Sequence, residues 1–301
     1  MSNPNRINVQ IPTTQSPLIS WLYPSPNSQS IIILAHGLGA TKELTLSNYA
    51  SSFQKAGYTS LVFDYRCNGE TEGHPRGLVD WEMQQEDWRS AITYARGLEG
   101  IDPDCVALFG TSFSGGHVIQ LAAEDWRIRA VISQCPFTDG VRSSMTVGVR
   151  ALPGLVWKGI WDSMFGNAVV KLVGKPGDVA LMNAPDVLGT FPPLIPEGYA
   201  FQDEIPARLV LKLPFLRPGG YASKVQCPIF FGVCGTDSVA PAGPTLSYAK
   251  TAPKGVVRLY EGVGHFEIYY GDAFEKAIGH YLEFLRENLP VLKRSIEMLS
   301  D

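Results

Sequence analysis

Residues 105–116 read CVALFGTSFSGG. Five apolar residues in an unbroken run predict a strand buried on both faces. Gly110 ends the run, a serine follows two residues later, and Gly115-Gly116 lead into a helix. A strand–turn–helix of this kind reverses the chain where strand and helix nearly touch, so small residues are needed around the turn. It pushes a serine Oγ out at the carboxyl edge of a sheet, beside backbone N–H groups at a helix N-terminus. Those N–H groups favour a developing negative charge. The frame Gly110-Thr111-Ser112-Phe113-Ser114 has serine where the last glycine of a G-x-S-x-G turn would stand. The alternative frame, Ser112-Phe113-Ser114-Gly115-Gly116, makes Ser114 the nucleophile and loses the first glycine. The run ending at Phe109 favours Ser112.

Outward from this turn, short apolar runs alternate with helix-like stretches. Strands are expected at 30–35 (SIIILA), 59–65 (TSLVFDY), 105–109, 130–133 (AVIS), 229–233 (IFFGV) and 256–260 (VVRLY). Helices are expected near 47–55, 81–98, 114–125, 245–250 and 273–289. Residues 7–11 and 18–23 read as an antiparallel hairpin at the leading edge. The pattern is that of an α/β protein with a mostly parallel, doubly wound sheet. Residues 141–221 break the rhythm: they are rich in proline and aromatic residues and sparse in charge. The chain therefore divides into a core of residues 1–140 and 222–301, and a helical cap insertion at 141–221. In the cap, Trp157, Trp161 and Met164 are expected to line an apolar pocket.

Length and composition bound the function. A chain of 301 residues, 45% hydrophobic and 18% charged, can bury a large core and excludes long disorder. A net charge of −4 with both signs scattered offers no footprint for nucleic acid or an anionic membrane. No apolar stretch reaches the ~20 residues of a membrane helix. The polar beginning, MSNPNRINVQIPTTQSPL, lacks the apolar segment of a signal peptide, and Leu299-Ser300-Asp301 matches no common retention signal. Five cysteines without a CxxC pair argue against a disulfide framework or a zinc site. A soluble, cytoplasmic protein without metal or cofactor is expected.

Other motifs converge on the serine. Ala35-His36-Gly37-Leu38-Gly39 closes a strand with a glycine-rich turn, and the N–H groups of Leu38 and Phe113 are the expected oxyanion donors. His36 reads better as a brace for that loop than as a catalyst. Gly262-Val263-Gly264-His265-Phe266 follows a strand, which suits His265 as general base. His74, His117 and His280 have packing or solvent to explain them. The acid that orients His265 is expected at Asp237, in Gly235-Thr236-Asp237, with Asp139 in Pro136-Phe137-Thr138-Asp139-Gly140 as the competitor. Asp64 and Arg66 are expected to bond to each other or to the adjoining loop. The five cysteines read as small apolar residues.

With HGLG, FDYRCNGETEG, GTSFSGG, GTD and GHF in this order, residues 25–290 resemble an α/β hydrolase. The order Ser112, Asp237, His265 is that of this superfamily. Within it, GTSFSGGHV, PFTDG and GHFEIYYGDAFEKA are similar to polyketide transferases and hydrolases of fungal secondary-metabolite clusters and their bacterial relatives. That resemblance implies acyl or polyketide chemistry on small-molecule substrates, often held as carrier-bound thioesters. Fold and motif leave two other readings open: a cyclase or condensing enzyme using the same Ser/His pair for proton transfer, and a ligand-binding protein without catalysis.

Overall fold

The computed structural model describes residues 6–26, 28–289 and 291, so the first five residues and Leu299–Asp301 lie outside it. Eight strands form the main sheet: β1 (Ile7–Ile11), β2 (Leu18–Tyr23), β3 (Ile31–Ala35), β4 (Thr59–Phe63), β5 (Val106–Thr111), β6 (Ile128–Gln134), β10 (Ile229–Cys234) and β11 (Gly255–Tyr260). Their spatial order is β1-β2-β4-β3-β5-β6-β10-β11. From β4 to β11 every pair is parallel, while β1–β2 and β2–β4 are antiparallel. The leading hairpin and the parallel body match the sequence expectation.

Strand periodicity divides the core between the two faces. Ile32 and Leu34 of β3, with Phe109 of β5, pack against α1 (Leu46–Lys55) and α9 (Gly271–Asn288) through Tyr49, Phe53, Tyr281 and Leu285. Ile31 and Ile33, with Leu108, pack on the other side against α2 (Trp81–Arg96) and α3 (Phe113–Glu124) through Trp88, Ile92, Val118 and Ile119. Each such buried side chain contributes about 1.5–3 kcal/mol of apolar transfer. Helix α2 starts where Asp80 accepts a hydrogen bond from the Met83 N–H, and it buries Trp81, Gln84, Gln85 and Trp88 at helical spacing.

Residues 141–221 differ from the expected helical composition. They hold most of α4 (Gly140–Ser144), then α5 (Leu152–Phe165), α6 (Val187–Thr190) and α7 (Leu209–Lys212). They also hold a second sheet of β7 (Val169–Val173), β8 (Ala180–Met182) and β9 (Glu204–Pro206), in the order β8-β7-β9. The run VVKLV of β7 alternates outward and inward, but its partners have three residues each, too few for a readable period. Helix α8 (Ala242–Ala249) completes the main sheet's cover. Among the described residues, no helix is long and apolar enough to cross a membrane.

Candidate active site

Strands β5, β6, β10 and β11 are adjacent and parallel, so the loops after them meet at one edge of the sheet. Ser112 stands between β5 and α3, at the tight turn expected of it, with φ 57° and ψ −117°. The turn needs its glycines. A Cβ on Gly110 would lie 2.1 Å from the Ser114 carbonyl oxygen, and one on Gly116 2.4 Å from that of Phe137.

The loops after β10 and β11 bring Asp237 and His265 to this serine. His265 Nε2 lies 2.9 Å from Ser112 Oγ, and Nδ1 lies 2.7 Å from Asp237 Oδ2. The other carboxylate oxygen accepts the Val239 and Ala240 N–H groups at 2.9 and 2.6 Å. The carboxylate is therefore held from both ends. In the neutral ring, the Nδ1 that faces the carboxylate carries the proton, and Nε2 is left to accept from the serine. Backbone bonds Gly235 N–H to Tyr260 O and Thr236 N–H to Val263 O lock the two loops together. Both side chains are buried at 1% exposure. Burial is the largest single effect and disfavours the imidazolium, but the charge and hydrogen bond of Asp237 together with Cys135 and Asp186 outweigh it, and His265 is pushed up to about 9.

The alternatives lie elsewhere. Ser114 is fully buried and bonds to the loop of His36. Asp139 caps α4 and takes bonds from Arg217 and Tyr248. His117 is fully buried, stacked on Trp81 at 3.8 Å between ring centres and bonded to Gln84 and Gln85; burial holds its pKa well below the usual value. His280 contacts Tyr260 from α9. Burial pushes the His36 imidazole below its usual pKa, and its Nδ1 donates to the Gly37 carbonyl, the bracing role expected.

The loop carrying Leu38 rides directly on the serine: a Cβ on Gly37 would sit 2.9 Å from Ser112 Cβ and 3.2 Å from its Oγ. Phe113 begins α3, so its N–H has no partner one turn back and points from the positive helix end. Leu38, Phe113 and Ser112 share the wall of one cleft. Behind the loop, the Ser114 hydroxyl donates to the His36 carbonyl and accepts from Tyr65, whose oxygen takes the Trp88 indole N–H at 2.7 Å. Lys42, fully buried, pairs with Asp64 and Glu70 at 2.6 Å each. Asp64 thus serves the loop, as expected, whereas Arg66 turns to Asp87 and Glu86 instead of to Asp64. The expectation for cysteines also needs amending at Cys135, whose thiol contacts the Thr111 and Tyr269 hydroxyls. Sequence reading missed Ser114, Tyr65 and Lys42 as supports. A serine in a glycine slot was the only signal for any of them.

The cleft has a volume of about 830 Å³ including its mouth, and Phe137, Val147, Leu155, Leu181 and Val210 line it beside Ser112. Trp157, Trp161 and Met164 do not line it and are 62%, 42% and 69% exposed. Leu155, Gly159 and Asp162 face inward instead, because Asp162 is held by the Arg208 guanidinium at 2.7 Å and by the Ala168 and Arg208 N–H groups. The helical period showed which residues share a face. The ion pair decides which face turns in.

Ser114→Ala leaves the His36 carbonyl and the Tyr65 hydroxyl without their partner in a dry site, an expected loss of about 1–3 kcal/mol. A lowered urea midpoint at unchanged m-value checks this; an unchanged midpoint contradicts the bracing role.

A sequence profile described as "Alpha/beta hydrolase family" matches residues 32–277. The chain is 46% identical over 266 residues, 87% of each chain, to the "Quorum-quenching protein AidA" of Acinetobacter baumannii (strain MDR-ZJ06). It is 31% identical over 291 residues to "Thiohydrolase aneE" of Aspergillus aculeatus, covering 89% of this chain and 88% of that one. Among solved structures, the alpha/beta hydrolase GrgF from Penicillium sp. sh18 superposes with a TM-score of 0.78 at 22% identity, over 94% of this chain and 99% of that one. Bacterial and fungal relatives thus both stand where the sequence resemblance placed them. With its parallel sheet, its serine turn and this profile match, the chain belongs to the alpha/beta hydrolase family.

Proposed function

We propose that the protein is a serine hydrolase or acyltransferase that takes an apolar acyl or polyketide group from an ester or thioester onto Ser112. The observation that carries this reading is the hydrogen-bonded line Ser112–His265–Asp237 opening into an apolar cleft. Residues 1–140 and 222–301 form the catalytic core in this reading, and 141–221 the cap. The relatives named for thiohydrolysis and quorum quenching support acyl chemistry on small molecules. A carrier-bound thioester fits the same cleft chemistry.

His265 Nε2 accepts the Ser112 proton as Oγ attacks the carbonyl carbon, and the Leu38 and Phe113 N–H groups take the oxyanion. Asp237 stabilises the imidazolium and keeps the ring in place. The leaving alcohol or thiol takes the proton from Nε2. Water or a second nucleophile then gives its proton to Nε2, attacks the acyl carbon, and returns Ser112 as free hydroxyl.

Three outcomes test this. Ser112→Ala should abolish fluorophosphonate labelling and cut turnover of a test ester by about 10³-fold or more, while Ser114→Ala keeps labelling and much of the turnover. Asp237→Asn should fall nearly as far as Ser112→Ala, and Asp139→Asn should stay near wild type. Labelling that survives Ser112→Ala overturns the assignment. Turnover lost with labelling kept in wild type would favour a cyclase.

The pH profile carries the second test. The base form of His265 is the active one, so kcat/KM should rise with pH through its raised pKa of about 9. Its acidic limb then lies above the unperturbed histidine value of about 6.5. A limb at or below that value contradicts the Asp237–His265 coupling.

The third is acyl length. Each added methylene buried in the cleft is worth ~0.8 kcal/mol, so two carbons should raise kcat/KM about tenfold until the cleft is full. Leu155→Trp should shorten the optimum, and Trp161→Ala should leave it unchanged. An optimum at acetyl in every variant excludes an apolar acyl substrate.

A further inference from the structure

Helix α5 carries two faces of different character. Its outward side presents Trp157, Ile160, Trp161, Met164 and Phe165, each 42–69% exposed. Trp157 and Trp161 lie 5.9 Å apart between ring centres, and Trp161 and Phe165 4.5 Å, so the rings form one ridge. Just before the helix, Met145 and Val149 are exposed at 68% and 79%. Of the eighteen exposed large apolar side chains among the described residues, nine fall within residues 145–165. Exposed apolar residues scattered singly need no explanation, but a contiguous patch marks an association surface.

The sequence around the ridge carries an excess of cations. Residues 141–175 carry Arg142, Arg150, Lys158, Lys171 and Lys175 against a single carboxylate, Asp162. That carboxylate is buried and already taken by Arg208. Among the described residues, none of the five cations forms an ion pair, although Lys158 donates to the Val169 carbonyl and Lys171 stands opposite Glu204 in the second sheet. The chain total of −4 averages this local excess away, which is why composition showed no footprint for an anionic surface.

We propose that the outward face of α5 docks the protein on an anionic lipid bilayer. Tryptophan and phenylalanine on one side of a helix, with basic residues flanking, suit the boundary between headgroups and acyl chains. The cations complement anionic headgroups. A second copy of this chain would set the same cations against each other, which disfavours self-association through this face. The helix also joins surface to cleft: Leu152 and Val156 line the cleft yet remain 38% and 44% exposed. An acyl chain dissolved in the bilayer therefore meets apolar side chains on its way towards Ser112. Only this delivery role rests on the proposed acyl chemistry.

The test is co-sedimentation of the full-length protein with vesicles of phosphatidylcholine, with and without phosphatidylglycerol, while tryptophan emission is followed. Binding to the phosphatidylglycerol vesicles, a blue shift on binding and weakening by salt are expected. Trp157→Ser/Trp161→Ser and, separately, Arg150→Glu/Lys158→Glu should each lower the partition coefficient about tenfold or more. Both should keep the wild-type melting curve and the wild-type turnover of a water-soluble short ester. Wild type that stays in the supernatant with both vesicle types overturns the proposal. So does a wild-type dimer in light scattering that the tryptophan variant disperses, since a second copy then covers the face. Loss of ester turnover in wild type, with vesicle binding intact, would count against the acyl chemistry alone.

Discussion

The close approach of strand β5 to the helix that follows it governs the site. Gly110 has the Ser114 carbonyl where its Cβ would be, and Gly115 and Gly116 meet Pro136 and Phe137 in the same way. Because no side chain separates these backbones, Ser112 is held with a positive φ at the sheet edge. Everything the serine meets is then built against it. The loops of Gly37, Asp237 and His265 each follow a strand of one parallel ladder, so their spacing is set by the ladder and not by the loops themselves.

The support behind the loop of Gly37 and Leu38 is polar and dry. Lys42 and Asp64 are both fully buried, and the carboxylate also accepts the Lys42 and Glu70 N–H groups. Burying two charges gains little net stability, but removing one partner would strand the other at a cost of about 3–5 kcal/mol. Such an arrangement specifies one loop conformation more than it strengthens the fold. The line from Trp88 through Tyr65 and Ser114 to the His36 carbonyl does the same with neutral groups. Two independent supports thus hold the segment that carries Gly37 against the serine.

The second sheet and α5 obey a different balance. Helix α5 hides its inner face with Leu155 and Gly159 and anchors it with the Asp162–Arg208 pair. It leaves its aromatic face to the surroundings. Apolar burial alone would have turned the tryptophans inward. A carboxylate accepting from a guanidinium and two N–H groups in one place cannot be turned out without losing all of them, and this settles the rotation of the helix.

Local chain physics was enough to determine the strand–turn–helix of residues 105–116, the alternation of strands and helices, and the identity of Ser112, Asp237 and His265 as the residues that meet. Short apolar runs, glycine punctuation and the requirement that loops emerge at one sheet edge are all written in neighbouring residues. The three-stranded sheet of residues 169–206, the buried Lys42, the strut at Ser114 and the outward turn of Trp157, Trp161 and Met164 were decided by the tertiary structure. Each depends on a partner far away in the chain: Asp64 for Lys42, His36 and Tyr65 for Ser114, Arg208 for the helix of Trp157. Periodicity reports which side chains share a face, but the direction that face turns is fixed only when a distant partner closes the contact.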